Sequence, residues 1–350
     1  MKHKHILIIR LSAMGDVAIS VPVLRAFREQ YPSVKLTVLT RPFYAPMFAD
    51  IIDCQLYAVD LKGKHKGLSG LYKLYRELRA LGVDKVADFH NVLRSNVLKI
   101  FFQSSFIPFV QIDKGRAEKK ALTRAENKRF KPLATSFDRY ADVLSRLGYP
   151  LDLQKMYFSP LPALSQEVKS LLPTHEAAQM VGIAPFAAHQ GKMYDWRKMQ
   201  EVISRLANER CQIYLFGGGN KEKELLDKVS YQHPYITNVA GVLPFADELA
   251  LISRLDIMLA MDSGNAHLAS LYGIPTVTLW GVTHPFAGFY PYGQPADYAL
   301  LADRGQFPLI PTSVYGNKYP DGYEQAINTI GVGTIVAKIK SIIGDNSSVG

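Results

Sequence analysis

The segment around Asp16 has residue types that could move a proton. Residues 6–11 form an apolar run that predicts a strand, and Gly15 and Asp16 follow where a strand would turn into a helix. A carboxylate at such a junction can act as a general base. The commoner alternative is that Asp16 is only a helix N-cap, worth about 1 kcal/mol. Pro22 leaves two helix starts open: Ser20 caps a helix just before the proline, or an earlier helix contains it.

A second loop, after residues 256–261, has the features of a phosphate site. Ser263 and Gly264 can present backbone N–H groups at a helix N-terminus, where an anion gains hydrogen bonds and the helix dipole. Asp262 is a poor phosphate ligand, and we expect it to cap the turn. His267 lies one turn into the helix, where it either donates to a phosphate or satisfies a hydrogen bond in the core. We favour the core role for His267 taken alone.

Two further loops carry glycines and a lysine. Gly217 and Gly218 would let a ligand approach closely, but Glu222 breaks the G-x-G-x-x-G fingerprint of dinucleotide-binding proteins. Glu222 could accept hydrogen bonds from a ribose, or simply be a surface carboxylate that opens a helix. Lys192 could neutralise a leaving diphosphate, although most loop lysines only face solvent. The sequence has no P-loop, metal-binding motif or nucleophile elbow, so no metal and no cofactor is expected.

Strand-like and helical patterns alternate along the whole chain, which indicates parallel sheets covered by helices. The predicted strands are residues 6–11, 34–39, 56–59, 85–89, 107–112, 180–184, 212–216, 236–239, 256–261 and 276–280. The fold class is therefore α/β, with two doubly wound domains, and the loops described above follow four of these strands. Prolines mark a boundary near residues 159–179, and residues 333–343 have the spacing of an amphipathic helix.

The charge of the chain is concentrated in one stretch. The 350 residues carry a net charge of +10, and residues 61–132 contain 17 Lys and Arg against six Asp and Glu. Such a stretch suits binding to nucleic acid, an anionic membrane surface or a phosphorylated substrate. The alternative is a solvated basic surface that only aids solubility. The two cysteines are far apart, which favours a reducing compartment, and no window is apolar enough to span a bilayer.

Several segments resemble glycosyltransferase family 9, the heptosyltransferases of lipopolysaccharide core assembly. They are residues 8–16 with Pro22 and Leu24, 88–95, 113–116, 216–225 and 256–281. The resemblance implies a GT-B fold, with two Rossmann-like domains facing each other across a cleft and no required metal. It implies an acceptor-binding domain at residues 1–165, a nucleotide-sugar-binding domain at 175–330, and a C-terminal helix and tail at 331–350.

The same resemblance implies a role for each candidate residue. Asp16 is similar to the general base, and Lys192 to the cation that faces the donor phosphates. The implied donor-binding residues are Gly217, Gly218, Glu222, Leu243, Asp262, Ser263, Gly264 and His267. The implied acceptor-binding residues are Ser12, Gly15, Arg94, Lys114, Arg116, Lys119, Lys120 and Arg124.

The implied reaction is an inverting transfer of heptose, with ADP-heptose as the favoured donor, to a lipid A core acceptor. The chain is then expected in the cytoplasm, with peripheral attachment to the inner membrane left open. Departures from the family pattern are Ile19, where some members have histidine, residues 281–285, and the displaced Trp196.

Three alternatives compete with heptosyl transfer. The first is a GT-B enzyme that uses another nucleotide sugar, including a non-hydrolysing epimerase. The second is a protein that binds nucleic acid through the basic stretch, although the aromatic residues there follow core spacing and no nucleic-acid motif is present. The third is a sugar-binding module without turnover, against which the presence of both Asp16 and Lys192 counts.

Overall fold

The strands form two parallel sheets, as the alternating pattern predicts. The computed structural model describes residues 4–173 and 179–347. The strands are β1 (His5–Ile9), β2 (Lys35–Thr40), β3 (Cys54–Ala58), β4 (Lys85–Asp88), β5 (Phe109–Gln111), β6 (Met180–Ala184), β7 (Gln212–Leu215), β8 (Ile236–Asn238), β9 (Ile257–Met261), β10 (Thr276–Trp280) and β11 (Ala299–Leu301). One sheet has the order β3-β2-β1-β4-β5, and the other has β11-β10-β9-β6-β7-β8.

All ten predicted strands are present, with bounds shifted by a few residues. Strands β1, β9 and β10 are buried along their whole length; β9 is a continuous apolar run, as is β1 after His5, whereas β10 also contains Thr276 and Thr278. Strand β11 was not predicted, because it has three residues on the edge of its sheet and no long apolar run.

Helices connect and cover the strands. They are α1 (Met14–Gln30), α2 (Gly67–Ala80), α3 (Leu93–Gln103), α4 (Arg116–Thr123), α5 (Ser136–Arg146), α6 (Gln166–Leu171), α7 (Trp196–Asn208), α8 (Asn220–Ser230), α9 (Phe245–Ile252), α10 (Gly264–Leu271) and α11 (Val332–Ser347). The C-terminal amphipathic helix is confirmed as α11, whose Ile335 and Ile339 are fully buried in the core of the second sheet.

The chain divides into two units, each built on one sheet. Unit 1 contains Met1–Lys114 and Ala134–Ser159, and unit 2 contains Gly115–Leu133 and Pro160–Gly350. The assignment of residues 115–133 differs from the predicted first domain, residues 1–165. Two contacts explain it: the Lys128 ammonium donates to the Pro311 carbonyl at 2.6 Å, and the Leu133 amide donates to the Phe286 carbonyl at 3.0 Å. Residues 174–178, within the predicted linker, lie outside the described residues.

Each sheet has one point at which the strand order reverses. In unit 1 the reversal lies between the paired strands β1 and β4, and in unit 2 it lies between β6 and β9. Ligands of open α/β sheets bind beyond the carboxyl ends of the strands at such a point. The loops after these four strands therefore hold the side chains to be considered first.

No single helix among the described residues is long and apolar enough to cross a bilayer. One bent helix pair, Tyr323–Thr329 with Val332–Gly344, passes the length and composition test with a bend of 51°. The side chains of Ile327 and Ile339 in this pair are fully buried in the unit 2 core, which accounts for their apolar character.

Candidate active site

Asp16 lies in the first turn of α1, directly beyond β1. The helix begins at Met14 and contains Pro22, so the earlier of the two predicted starts is the observed one. Ala13 is the N-cap residue and Ser20 donates to the Val17 carbonyl, so neither Asp16 nor Ser20 caps this helix. Gly15, predicted to lie at the strand-to-helix junction, is a helical residue without a positive φ. The carboxylate of Asp16 is thereby left for another role.

Arg10 fixes the orientation of the Asp16 carboxylate. Its guanidinium lies 2.5 Å from Asp16 Oδ2 and also donates to the Phe89 carbonyl at 2.6 Å. The Arg10 side chain is 7% exposed and the Asp16 side chain is 30% exposed, so the arginine holds the pair from the buried side. Tyr140 supports the arrangement from α5, because its hydroxyl donates to the Asp16 carbonyl. The partly exposed carboxylate can therefore meet a substrate hydroxyl in a fixed orientation.

His90 brings a neutral imidazole to the same edge of the sheet. The Asp88 carboxylate accepts from the backbone amides of His90 and Asn91, and this turn holds the histidine just beyond β4. Its Nε2 lies 3.5 Å from Ser12 Oγ. Burial, followed by the charge of Arg10, lowers the pKa of His90 to about 3, so the ring is neutral at neutral pH. His90 was not singled out from the sequence, because its position beside β1 depends on the β1–β4 pairing.

Three buried polar atoms near these strand ends have no hydrogen-bond partner in the described part of unit 1. They are Nε of Arg10, Nδ1 of His90 and Oγ1 of Thr40, the last residue of β2. Buried polar groups in proteins are nearly always hydrogen-bonded, so unpaired ones at strand ends are suited to a polar ligand. Thr40 ends β2, Asp16 follows β1 and His90 follows β4, and these three strands are neighbours in the sheet.

In unit 2, Lys192 forms a buried ion pair with Asp262. The two side chains are 15% and 8% exposed, and Lys192 Nζ lies 2.8 Å from Asp262 Oδ2. Thr283 donates to the same carboxylate oxygen at 2.8 Å, and Lys192 also donates to the Asp262 backbone carbonyl at 3.2 Å. Asp262 was expected to cap the turn; in the structure its carboxylate binds the lysine that follows β6. An ammonium has three N–H donors, so Lys192 retains capacity for a phosphate oxygen.

Glycines hold Lys192 in this position. The backbone of Gly191 packs against Gly281, and the Gly191 carbonyl accepts from the Val282 amide at 3.1 Å. Gly316 has φ +83°, and a Cβ atom there would lie 2.6 Å from Lys192 Cγ. The aliphatic stem of Lys192 thus fits a space that a side chain at position 316 would fill.

The N-terminus of α10 lies next to this ion pair, because Ser263 is its N-cap residue. The amides of a first helical turn have no partner within the helix and bind anions well. In the described part of the chain, Ser263 Oγ and Asn265 Oδ1 are buried without a hydrogen-bond partner. His267 lies one turn further along and is 7% exposed. The predicted phosphate seat at Ser263 and Gly264 therefore lies beside the cation of Lys192.

The loop after β7 is organised by Glu222. The Gly218 amide donates to Glu222 Oε2 at 2.7 Å, so this carboxylate closes its own loop. A Cβ atom on Gly217 would meet Glu222 and Leu226, whereas Gly218 faces open space. Leu243, the predicted wall of a base pocket, is half-buried before α9. The other carboxylate oxygen of Glu222, Oε1, can accept a hydrogen bond from a ribose, which is the contact predicted for this residue.

The predicted acceptor-binding cations are divided between the two units. Lys114 and the exposed Arg94, at the start of α3, belong to unit 1, whereas Arg116, Lys119, Lys120 and Arg124 belong to unit 2. Lys119 is 7% exposed, with its ammonium 4.1 Å from the centre of the Phe289 ring. Lys119 is therefore buried, whereas its sequence neighbour Lys120 is exposed. Arg124 donates to the Asn127 carbonyl, while Arg116 and Lys120 are exposed.

The described residues contain no group of three or more His, Cys, Asp or Glu side chains placed to hold a metal ion. The two groups of polar side chains identified above are instead made of one carboxylate with its arginine in unit 1, and one lysine with a helix N-terminus in unit 2. These groups can accept a proton and stabilise an anion, respectively.

Glu248, in the first turn of α9, is a half-buried carboxyl group that the sequence did not single out. Burial raises its pKa to about 7, from an ordinary value of 4.5. Between pH 4.5 and about 7, Glu248 is ionised in the unfolded chain but still protonated in the folded one. Its burial therefore lowers the free energy of unfolding as the pH rises through this range. We expect Glu248→Gln to raise the free energy of unfolding by about 1–3 kcal/mol at about pH 8 and to change it little at about pH 4.

Urea unfolding of both proteins at the two pH values measures this difference. Glu224→Gln, on the exposed side of α8, is the matched control and should give no pH-dependent gain. An equal gain for Glu248→Gln at both pH values would show that its effect does not come from titration.

Comparison with known proteins identifies the family and the fold. Residues 71–308 match the model of glycosyltransferase family 9 (heptosyltransferase). The chain is similar to the lipopolysaccharide core heptosyltransferase OpsX of Haemophilus influenzae, with 25% identity over 291 residues that cover 81% of this chain and 80% of that protein.

Two solved structures show the same fold. A glycosyl transferase of family 9 from Veillonella parvula has a TM-score of 0.76 at 19% identity, covering 99% of this chain and 98% of that one. The E. coli heptosyltransferase WaaC, solved with ADP, has a TM-score of 0.69 at 17% identity, covering 97% and 99%. Both have the fold found here, and the family match extends over both units. This chain therefore belongs to glycosyltransferase family 9, the heptosyltransferase family.

Proposed function

We propose that this protein transfers a heptose from ADP-heptose to the inner core of a lipopolysaccharide acceptor, on the cytoplasmic side of the inner membrane. The observation that carries the proposal is the pair of side-chain groups at the two strand-order reversals. Each unit has one such group, and the family match covers both units. The relatives named above are heptosyltransferases, and WaaC was solved with ADP.

In the proposed reaction, an acceptor hydroxyl oxygen forms a bond to the anomeric carbon of the donor. The bond from that carbon to the diphosphate breaks, and its electron pair leaves with the diphosphate, which inverts the anomeric configuration. Asp16 accepts the hydroxyl proton as the new bond makes the hydroxyl acidic, and such a base contributes about 10²- to 10⁴-fold in rate. Arg10 keeps the carboxylate oriented for this step.

The donor side must stabilise the negative charge that develops on the diphosphate. Lys192 supplies a positive charge, and the first-turn amides of α10 supply hydrogen-bond donors beside it. These groups are fixed before substrate binds, because Gly316 and Gly191 hold the lysine in place. Glu222 and Leu243 are proposed to contact the ribose and the adenine of the donor.

The acceptor side is expected to bind a phosphorylated and carboxylated saccharide. Arg94, Arg116 and Lys120 are exposed cations suited to those anionic groups, and Ser12 and His90 are neutral partners beside Asp16. Lys119 is removed from this set because its ammonium already lies over the Phe289 ring.

A thermal-shift panel of ADP-, GDP-, UDP- and dTDP-sugars tests the donor assignment. A ligand that binds only the folded state adds about 2.7 kcal/mol at 100 times its dissociation constant, so a true donor should raise Tm by several degrees. We expect ADP-heptose to give the largest shift, and we expect Lys192→Gln to lose it. A larger shift with another nucleotide sugar would select the alternative donor, and product formed without an acceptor would indicate an epimerase.

A further inference from the structure

The surface of α2 and α3 is unusual because large apolar side chains point into solvent on neighbouring helices. Leu68 and Tyr72 of α2 are 67% and 47% exposed, and Leu93 and Ile100 of α3 are 80% and 66% exposed. Phe106, just after α3, is 96% exposed. Single exposed apolar residues are common in proteins, but a contiguous group of them marks an interaction site.

Helical spacing and a ring contact connect the four exposed apolar residues on the two helices. Leu68 and Tyr72 are four residues apart on α2, and Leu93 and Ile100 are seven apart on α3, so each pair lies on one helix face. The Tyr72 ring packs edge-on against Phe101 of α3, with ring centres 5.4 Å apart. The apolar strip therefore continues from one helix to the other.

The exposed side of α2 also carries cations. Lys73, Arg76 and Arg79 are exposed, and none forms an ion pair with an acid in the part of the chain that the structure describes. Glu77, the one acid of α2, is held by Lys64 at 2.8 Å and by His65 at 3.1 Å. Residues 61–111 contain nine Lys and Arg against three acids, so the field over this surface is positive. We call these five apolar residues and three cations the α2–α3 face.

We propose that the α2–α3 face docks on an anionic lipid bilayer, with its apolar side chains entering the region below the headgroups. Arginine and lysine can keep their charged ends at the lipid phosphates while their aliphatic parts lie along the apolar side chains that enter the bilayer. The proposal rests on the function proposed above. If that function is correct, the face holds the enzyme at the membrane that carries its lipid-linked acceptor.

Other partners fit the same face less well. A second copy of the chain in a two-fold contact would set the cations of α2 against themselves, which is repulsive. Nucleic acid would use the cations and could stack on Tyr72 and Phe106, but the other three apolar residues of the face, Leu68, Leu93 and Ile100, are aliphatic and offer no stacking surface. Aliphatic side chains together with cations match a lipid surface.

Co-sedimentation with vesicles tests the proposal, using phosphatidylcholine with and without phosphatidylglycerol. These vesicles contain no saccharide acceptor, so the result does not depend on heptosyl transfer, which is assayed separately with detergent-dispersed acceptor. We expect binding only to the anionic vesicles, and a loss of affinity of about tenfold or more in the variant Lys73→Glu, Arg76→Glu, Arg79→Glu. Its control, matched in charge, is Lys169→Glu, Arg197→Glu, Lys221→Glu on exposed positions of unit 2.

A second pair of variants tests the apolar contribution. Leu68→Ser with Ile100→Ser should weaken vesicle binding about tenfold, whereas Ile52→Ser with Tyr231→Ser, which are 75% and 87% exposed, should not. Failure of the wild-type protein to bind anionic vesicles would overturn the proposal, as would equal losses in the controls. Full binding by the Leu68 and Ile100 variant, or preference for an RNA oligonucleotide over the vesicles, would also overturn it.

Discussion

Replacing Asp16 by Asn is expected to lower kcat at least a hundredfold while leaving the dissociation constant for the donor nearly unchanged. The amide keeps the size of the side chain but cannot accept the hydroxyl proton, and a general base typically contributes about 10²- to 10⁴-fold in rate. The donor affinity should persist because Asp16 belongs to unit 1, whereas Lys192 and the α10 N-terminus belong to unit 2. Steady-state kinetics and isothermal titration with the donor measure the two quantities.

Asp53→Asn is a suitable control for this experiment. Asp53 is also an aspartate of unit 1 that pairs with an arginine, Arg28, but its side chain is 75% exposed and it precedes β3 instead of following β1. Its replacement should leave kcat within about twofold, because a surface ion pair contributes little. Full turnover by Asp16→Asn would remove Asp16 from the role of base.

Replacing Lys192 by Gln is expected to lower kcat by about 10²- to 10³-fold and to weaken donor binding. The positive charge beside the α10 N-terminus would be gone, and loss of one preorganised electrostatic partner of a developing oxyanion has costs of this size. The substitution also leaves Asp262, which is 8% exposed, without its counter-ion. Removing one member of a buried ion pair typically lowers the free energy of unfolding by about 3–5 kcal/mol. The loss is smaller where the remaining partner is partly exposed to water.

A double variant separates the two effects of Lys192→Gln. Adding Asp262→Asn removes the uncompensated carboxylate, so the Tm should recover toward that of the wild type, while turnover should stay low. Thermal unfolding and kcat are measured on the wild type, the single variant and the double variant. Recovery of turnover together with Tm would mean that the lysine acts only by stabilising unit 2, which would contradict its proposed contact with the donor.

The strands were predictable because parallel strands buried on both faces have largely apolar sequences, as β9 does throughout and β1 does after His5. The loops worth searching were predictable for a related reason, since ligands bind beyond the carboxyl ends of such strands. The position of the strand-order reversals was not, because pairing of β1 with β4 joins segments far apart in the sequence. The role of His90 depends on that pairing.

Side-chain partners were harder to predict than strands. Lys192 and Asp262 are separated by 70 residues, and nothing local to either indicates that they meet. Lys119 and Lys120 are adjacent in the sequence and were predicted to have the same role, yet Lys119 lies over the Phe289 ring and Lys120 is exposed. A basic segment therefore predicts the sign of its charge, whereas the structure decides which cations can meet a ligand.

The most direct test of the account is transfer itself, observed on defined substrates. Purified protein is incubated with ADP-heptose and a lipopolysaccharide acceptor that lacks its heptoses, and the acceptor is analysed by mass spectrometry while ADP release is followed. The account predicts one added heptose for each ADP released by the wild type, and at least a hundredfold less of both with Asp16→Asn. ADP release without a heptosylated acceptor, or equal transfer by the two proteins, would contradict it.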